Sequence, residues 1–267
     1  MTLRSRLGAL RNRLLSQVSR RLLLLGDQGP IVSFCFDDFP RTAYTAGGTI
    51  LRGFGVRGTY YVALGLINTT NALGEQFTQD DIYSLLSDGH ELGCHTFTHS
   101  SLRKVSRSSF QQDVIKGREA IQNMVGGDAG NFAYPYGHVG LRSKGAIGAQ
   151  MSSCRSIYGG INQGAADLNF LRANSLYGDL DGLAAIEALI DENIRTRGWL
   201  IFYTHDVREN PSPFGCTPAL LDRTISLAIK KGNRVLTVKS ALALFRHASH
   251  EANRVASKNP LQVLVPR

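Results

Sequence analysis

SFCFDDFP, the stretch from Ser33 to Pro40, decides how this chain is read. It extends Ile31 and Val32 into an apolar run of strand character, then delivers two carboxylates side by side, Asp37 and Asp38. Adjacent like charges repel, and the end of an apolar strand solvates both poorly. A strand that ends this way needs something to receive the charge.

Outward from that stretch the chain alternates between two periodicities. Strand-like runs recur at IVSFCF, VRGTYYVA, HELGCH, NFAY, MSSCRSI, NFLRA, WLIFYT and RVLTV. Between most of them lie helix-like stretches, at about 108–125, 183–197, 218–231 and 239–247, and another that begins at Thr78. There TQDD places Asp81 three residues after a capping hydroxyl, a variant of the capping box. Strands alternating with helices of ten or more residues imply a parallel sheet. Seven or eight such units predict an α/β fold, an irregular (β/α)7-8 barrel over residues 28–248, with a doubly wound open sheet as the runner-up. In a barrel the chemistry belongs at the carboxyl ends of the strands, where Asp37 and Asp38 fall.

The chain has 267 residues and a formal net charge of +9. The charge sits at the ends. Residues 1–25 hold six arginines and no acid, residues 246–267 hold four basic residues against Glu251, and the body between is neutral. A nucleic-acid groove belongs on a domain face, so no nucleic-acid partner is expected. Residues 1–27 read as a basic amphipathic helix, with Leu3, Leu7, Leu10, Leu14, Val18, Leu22 and Leu25 at spacings of three or four. Such a helix either lies on an anionic membrane surface or packs on protein. Residues 249–267 read as a basic, loosely held tail. Cys35, Cys94, Cys154 and Cys216 are scattered without a CxxC and read as structural free thiols, which suits a reducing compartment. No apolar run approaches the ~20 residues of a spanning helix, and no signal peptide is legible. The expected location is cytoplasmic, peripheral on the inner membrane if residues 1–25 bind it.

Three further motifs carry chemistry. HTFTH sets His95 and His99 four residues apart directly after a strand, and a helical turn there brings both imidazoles onto one face. Two imidazoles and a carboxylate from a neighbouring strand make a three-ligand site with open positions, which suits catalysis better than structure. FAYPYG ends a strand in a proline-stiffened turn that aims the backbone N–H of Tyr136 outward. WLIFYTHDV carries His205 to a strand mouth, while alternation leaves Trp199 about 20 Å away at the far end, a core position.

In this order, the Asp-Asp pair, HTFTH, PYG and the later strand ending in His205 resemble the motifs of the NodB-homology polysaccharide deacetylases, carbohydrate esterase family 4. The resemblance spans about residues 31–244. It implies an irregular (β/α) barrel that removes N-acetyl groups, or formyl or O-acetyl groups, from an amino sugar or polysaccharide precursor. It further implies a metal, zinc or another dication such as Co2+, Ni2+ or Mn2+, held by Asp38, His95 and His99. Asp37 becomes the base acting on metal-activated water, Tyr136 N–H a donor to the oxyanion, and His205 the general acid. The same residues leave two alternatives, a sugar-binding pseudoenzyme and a non-haem iron enzyme with a two-histidine, one-carboxylate triad.

The chain departs from the family pattern in three places. The arginine that steadies the catalytic aspartate falls on Ala133, the leucine before the late histidine falls on Tyr203, and the tryptophan of the acetyl pocket has no clean match, with Tyr158 as a guess. A base beside a dication must be held, so another cation is expected to reach Asp37. Arg155, on the strand after Ala133, is the first candidate, and Arg172 is the second.

Overall fold

The structure, a computed structural model, describes residues 14–258. Its strands are β1 (Leu22–Leu24), β2 (Ile31–Asp37), β3 (Thr59–Val62), β4 (Thr70–Asn71), β5 (Gly74–Glu75) and β6 (Glu91–Cys94). They continue as β7 (Asn131–Ala133), β8 (Ser153–Arg155), β9 (Ala165–Asp167), β10 (Asn174–Ser175), β11 (Trp199–Thr204) and β12 (Arg234–Val235). A curled parallel sheet runs in the order β10-β11-β2-β3-β6-β7-β8. On the edge of β2 away from β11, β12 pairs with Ile31 and Val32 while β3 pairs from Cys35 onward. The irregular segment 168–176 bonds both ends of the sheet. Leu171 N donates to Cys154 O, and Leu176 N donates to Tyr203 O. Its amides are thus shared among several partners, which is why NFLRA is not the expected strand and regular pairing is confined to Asn174 and Ser175.

Period-two alternation sorts the side chains into two cores. Val32, Phe34 and Phe36 of β2 join the layer under the helices, with Tyr60, Phe202, Leu220 and Ile225. Cys35, Tyr61, Ala133, Ile201 and Tyr203 fill the inside of the curl. Trp199 belongs to this inner core at 0% exposure, and its Nε1–H donates to Ser33 Oγ at 2.9 Å. The floor of the curl is polar and satisfied. The buried Glu91 carboxylate accepts from Thr59 Oγ1, Asn131 Nδ2 and Lys239 N.

The helices form where expected, at Gln79–Ser87, Arg107–Val125, Leu183–Thr196 and Pro218–Lys230. The first starts on the Thr78–Asp81 capping box. The last, Val238–Lys258, runs well past His247 and makes the first part of the expected tail helical; residues 259–267 lie outside the described ones. The N-terminal expectation also needs correction. Residues 1–13 lie outside the described residues, but Leu22–Leu24 is a strand paired antiparallel with Ala165–Asp167, not a continuation of a helix. Distant pairing overrides the leucine spacing. The segment before it is strapped down by the buried Lys144, whose Nζ donates to Leu15 O, Val18 O and Asp167 Oδ2. No helix among the described residues is long and apolar enough to cross a membrane.

His90, where the chain enters β6, gives the fold a pH dependence. Its Nδ1 accepts from Gly58 N at 3.0 Å, and Tyr44 and Tyr60 meet its ring edge-on. Burial, with the charge of Arg57 added, lowers its pKa to about 4. Between the unfolded value near 6.5 and that lowered value, the unfolded chain takes up a proton that the folded one refuses. Stability is therefore lost as pH falls from about 6.5 toward 4. The drop in Tm between pH 7 and pH 5 is expected to be smaller in His90→Gln than in the wild type; equal drops would remove His90 as a source.

Candidate metal centre and active site

Asp37 is the last residue of β2, and alternation along Ser33, Cys35 and Asp37 points it into the curl. The next residue in an extended strand would face the helices instead. The chain avoids this by leaving the strand through two residues with left-handed backbones, Asp38 (φ 64°) and Phe39 (φ 63°). Phe39 turns under Tyr60 and Phe77. Asp38 meets two imidazoles, with Oδ1 at 3.0 Å from His99 Nε2 and 3.4 Å from His95 Nε2. The neighbouring carboxylates thus end in different surroundings.

His95 follows β6 directly and is buried. Its Nδ1 lies 2.8 Å from Ala133 O, an acceptor only, so Nδ1 carries the hydrogen and Nε2 presents its lone pair toward Asp38. Burial lowers its pKa to about 4, which keeps the ring neutral. His99 does not arrive by a helical turn as expected. Thr96 (φ 65°) and His99 (φ 55°) are left-handed, and the turn is held by Asp113 of the helix Arg107–Val125. Asp113 accepts from Thr98 N, Thr98 Oγ1 and Ser100 Oγ. The imidazole centroids end 4.9 Å apart. Left-handed non-glycine residues cost energy and gather where function holds them.

The three ligand atoms of Asp38, His95 and His99 lie within 4.8 Å of one another. Asp38 Oδ1 is buried and no donor is aligned on it. Burial pushes the Asp38 carboxyl up, but the adjacent imidazoles outweigh that and hold it well below the usual range, so it is ionised. An anionic oxygen and a fixed imidazole lone pair converging on one point fit a dication. The carbonyl behind His95 is the outer partner that metal-bound histidines need.

Asp37 has a different partner. Arg155 Nη2 donates to both of its carboxylate oxygens at 2.5 Å, with both side chains buried. Register explains the meeting. Arg155 stands directly across from Ala133, on the same face, so it reaches from the adjacent strand into the space an arginine at 133 would take. The guanidinium lies between two rings, 4.8 Å from the centroid of Tyr203 and 5.0 Å from that of Tyr61. Burial lowers the Arg155 pKa, and the charge of Asp37 overcomes this and raises it. Gly93 completes the arrangement, since a Cβ there would meet the Tyr61 ring at 2.7 Å. Arg172 is not at the site; its Nη1 donates to Gly159 O.

His205 follows β11. Its Nδ1 lies 3.1 Å from Phe214 O, an acceptor only, so the hydrogen sits on Nδ1 and Nε2 carries the lone pair of the neutral ring. Tyr177 and Phe214 flank its ring at 6.1 and 5.8 Å. Tyr136 (φ 57°) sits in the turn Pro135–Gly137 with its ring 4.6 Å from that of His99. Tyr158 packs on Phe170, so the aromatic residues beside His205 are Tyr177 and Phe214, which the sequence did not single out. Only their place against His205 in space marks them. All four cysteines are free and buried, and burial pushes the thiols of Cys94, Cys154 and Cys216 up to about 12.

Residues 26–150 match the family described as polysaccharide deacetylase. A bifunctional xylanase/deacetylase of Pseudobutyrivibrio xylanivorans is 24% identical over 106 residues, 40% of this chain and 16% of that protein's length. Among solved structures, the chitin deacetylase of Colletotrichum lindemuthianum matches with a TM-score of 0.56 and 20% identity, over 84% of this chain and 92% of that one. The peptidoglycan deacetylase PdaC of Bacillus subtilis matches with a TM-score of 0.54 and 15% identity, over 87% and 98%. These likenesses place the fold.

Proposed function

We propose that this chain, residues 26–150 of which match the polysaccharide deacetylase family, is a metal-dependent hydrolase that removes N-acetyl groups, or formyl or O-acetyl groups, from an amino sugar or a polysaccharide precursor. The observation that carries this reading is the split of two adjacent carboxylates. Asp38 faces two imidazoles while Asp37 is tied to Arg155. Asp38, His95 and His99 would hold zinc, or cobalt, nickel or manganese. Bound there, the metal supplies Lewis acidity toward water and the acyl oxygen.

The protein's own residues divide the remaining work. The Asp37 carboxylate accepts a proton from the attacking water, and Arg155 keeps that carboxylate from swinging toward the ligand set. The water oxygen bonds to the acyl carbon, and Tyr136 N–H donates to the oxygen on which negative charge develops. His205 then gives its Nε2 proton to the leaving nitrogen as the C–N bond breaks, yielding acetate and a free amine. Ala133, in place of the family's arginine, favours a sugar-binding pseudoenzyme, and the pairing of Arg155 with Asp37 supports the hydrolase over it.

The test is acetate release from N-acetylglucosamine oligomers by zinc-loaded protein. An amine leaves poorly without a proton and an activated phenol leaves without one. His205→Ala is therefore expected to slow amide substrates roughly 10²-fold or more, and 4-nitrophenyl acetate much less. Equal losses on both would assign His205 to binding.

A further inference from the structure

A pocket of about 330 Å³ opens between Arg41, Thr42, Thr45, Gly74, Glu75 and Arg208. Its position is set by the chain. Arg41 lies three residues after Asp38 and Arg208 three after His205, so each Cα is at most about 11 Å from that of the site residue. Val207 N donates to Thr42 Oγ1, and Pro40 pairs with Gln76, which brings the β4–β5 hairpin alongside. The pocket is therefore carried by the segments that directly follow Asp38 and His205.

Each arginine sets its Nε against an aspartate, Arg41 through hydrogen bonds and Arg208 through close approach alone. Arg41 is tied through Nε to Asp81, Nε to Oδ2 at 3.0 Å, and Asp81 is fixed in turn by Thr78 N and Oγ1. Arg208 is ion-paired through Nε to Asp206 Oδ2 at 2.7 Å, and the buried Asp206 is fixed by Ser212 N and Oγ. In both cases the stem is anchored, and the terminal Nη groups hydrogen-bond to no described residue. Arg208 Nη1 would lie 3.6 Å from a Cβ placed on Gly74, so it reaches across to the hairpin. Glu75 lines the same pocket yet forms no ion pair among the described residues. Two pre-held forks are thus left facing open space, the arrangement that receives a carboxylate or phosphate.

We propose that this pocket is a subsite for an anionic substituent of the substrate, a carboxylate or a phosphate ester, within one or two sugar positions of the group that is removed. The proposal rests on the deacetylase reading for what the neighbouring site does, but not for the binding itself. Glu75 is the negative element in the pocket. It weakens anion binding and would strengthen the binding of neutral sugar hydroxyls, which makes it the discriminating residue.

The experiment compares N-acetylglucosamine, N-acetylmuramic acid and N-acetylglucosamine 1-phosphate with the zinc-loaded full chain. Binding is measured by calorimetry and turnover by acetate release. At least one anionic sugar is expected to bind roughly tenfold more tightly than the neutral one, the worth of one charge-assisted hydrogen bond. Which of the two does so separates a carboxylate source from a phosphate source. The preference should vanish in Arg41→Gln/Arg208→Gln, and Arg41→Lys should restore less of it than wild-type arginine gives. Glu75→Gln should enlarge it. Equal binding of all three sugars, a preference that survives the double substitution, or a Glu75→Gln variant that binds anionic sugars more weakly would overturn the proposal. Loss of 4-nitrophenyl acetate hydrolysis in the wild type would instead count against the deacetylase reading, while arginine-dependent binding would still stand.

Discussion

Asp37→Asn is expected to keep one metal ion per chain and to lose turnover by roughly 10³-fold, the middle of the range for a missing general base. The ligand set is untouched because Asp38, not Asp37, faces His95 and His99. An amide oxygen still accepts from Arg155, so the geometry should persist while the proton acceptor is gone. Elemental analysis and acetate release on one preparation read both effects. Retained turnover would remove Asp37 from its role, and loss of metal would mean that the adjacent carboxylates do not divide their tasks.

Arg155→Ala should strike twice. It strands a buried carboxylate, and breaking one side of a buried pair costs about 3–5 kcal/mol, a fall in Tm on the order of 10 °C for a chain of this size. The folded fraction should also turn over about 10²-fold more slowly, the usual cost of a misplaced catalytic group. Lysine should rescue only partly, since an ammonium is a point charge without the planar fork that stacks between Tyr61 and Tyr203. Register supplies a second test. Ala133 faces Arg155 across the ladder, so Ala133→Arg on the Arg155→Ala background should recover both stability and rate. No recovery in either would mean that Asp37 is not steadied by a cation at this place.

What the sequence disclosed and what it concealed follow from the range of the interactions. Alternation in β2 and β11 needs only neighbouring residues, so the inward Asp37 and the core position of Trp199 could be read directly. The Thr78–Asp81 cap is equally local. Arg155 could be singled out because Ala133 and Arg155 are carried by consecutive strands of the parallel sheet. The rings that sandwich it could not, because Tyr61 and Tyr203 reach the guanidinium only once the register of three strands is fixed. The left-handed turns at Asp38, Thr96 and His99 also gave no sign, since non-glycine residues rarely adopt them and nothing in their identity asks for it. At the N-terminus the leucine spacing suggested a helix through Leu25. Pairing with Ala165–Asp167, about 140 residues away, makes Leu22–Leu24 a strand, a tertiary override that spacing alone cannot disclose.

The central claim is that Asp38, His95 and His99 hold a dication at which Asp37 directs the hydrolysis of an acetylated amino sugar. Acetate release from an N-acetylglucosamine oligomer, measured against metal content per chain, tests it most directly. Release should rise in proportion to bound zinc up to one ion per chain, disappear on chelation, return on adding the metal back, and be absent with the metal in His95→Ala/His99→Ala. Acetate released at the same rate by metal-free protein, or none released at one zinc per chain, would contradict it.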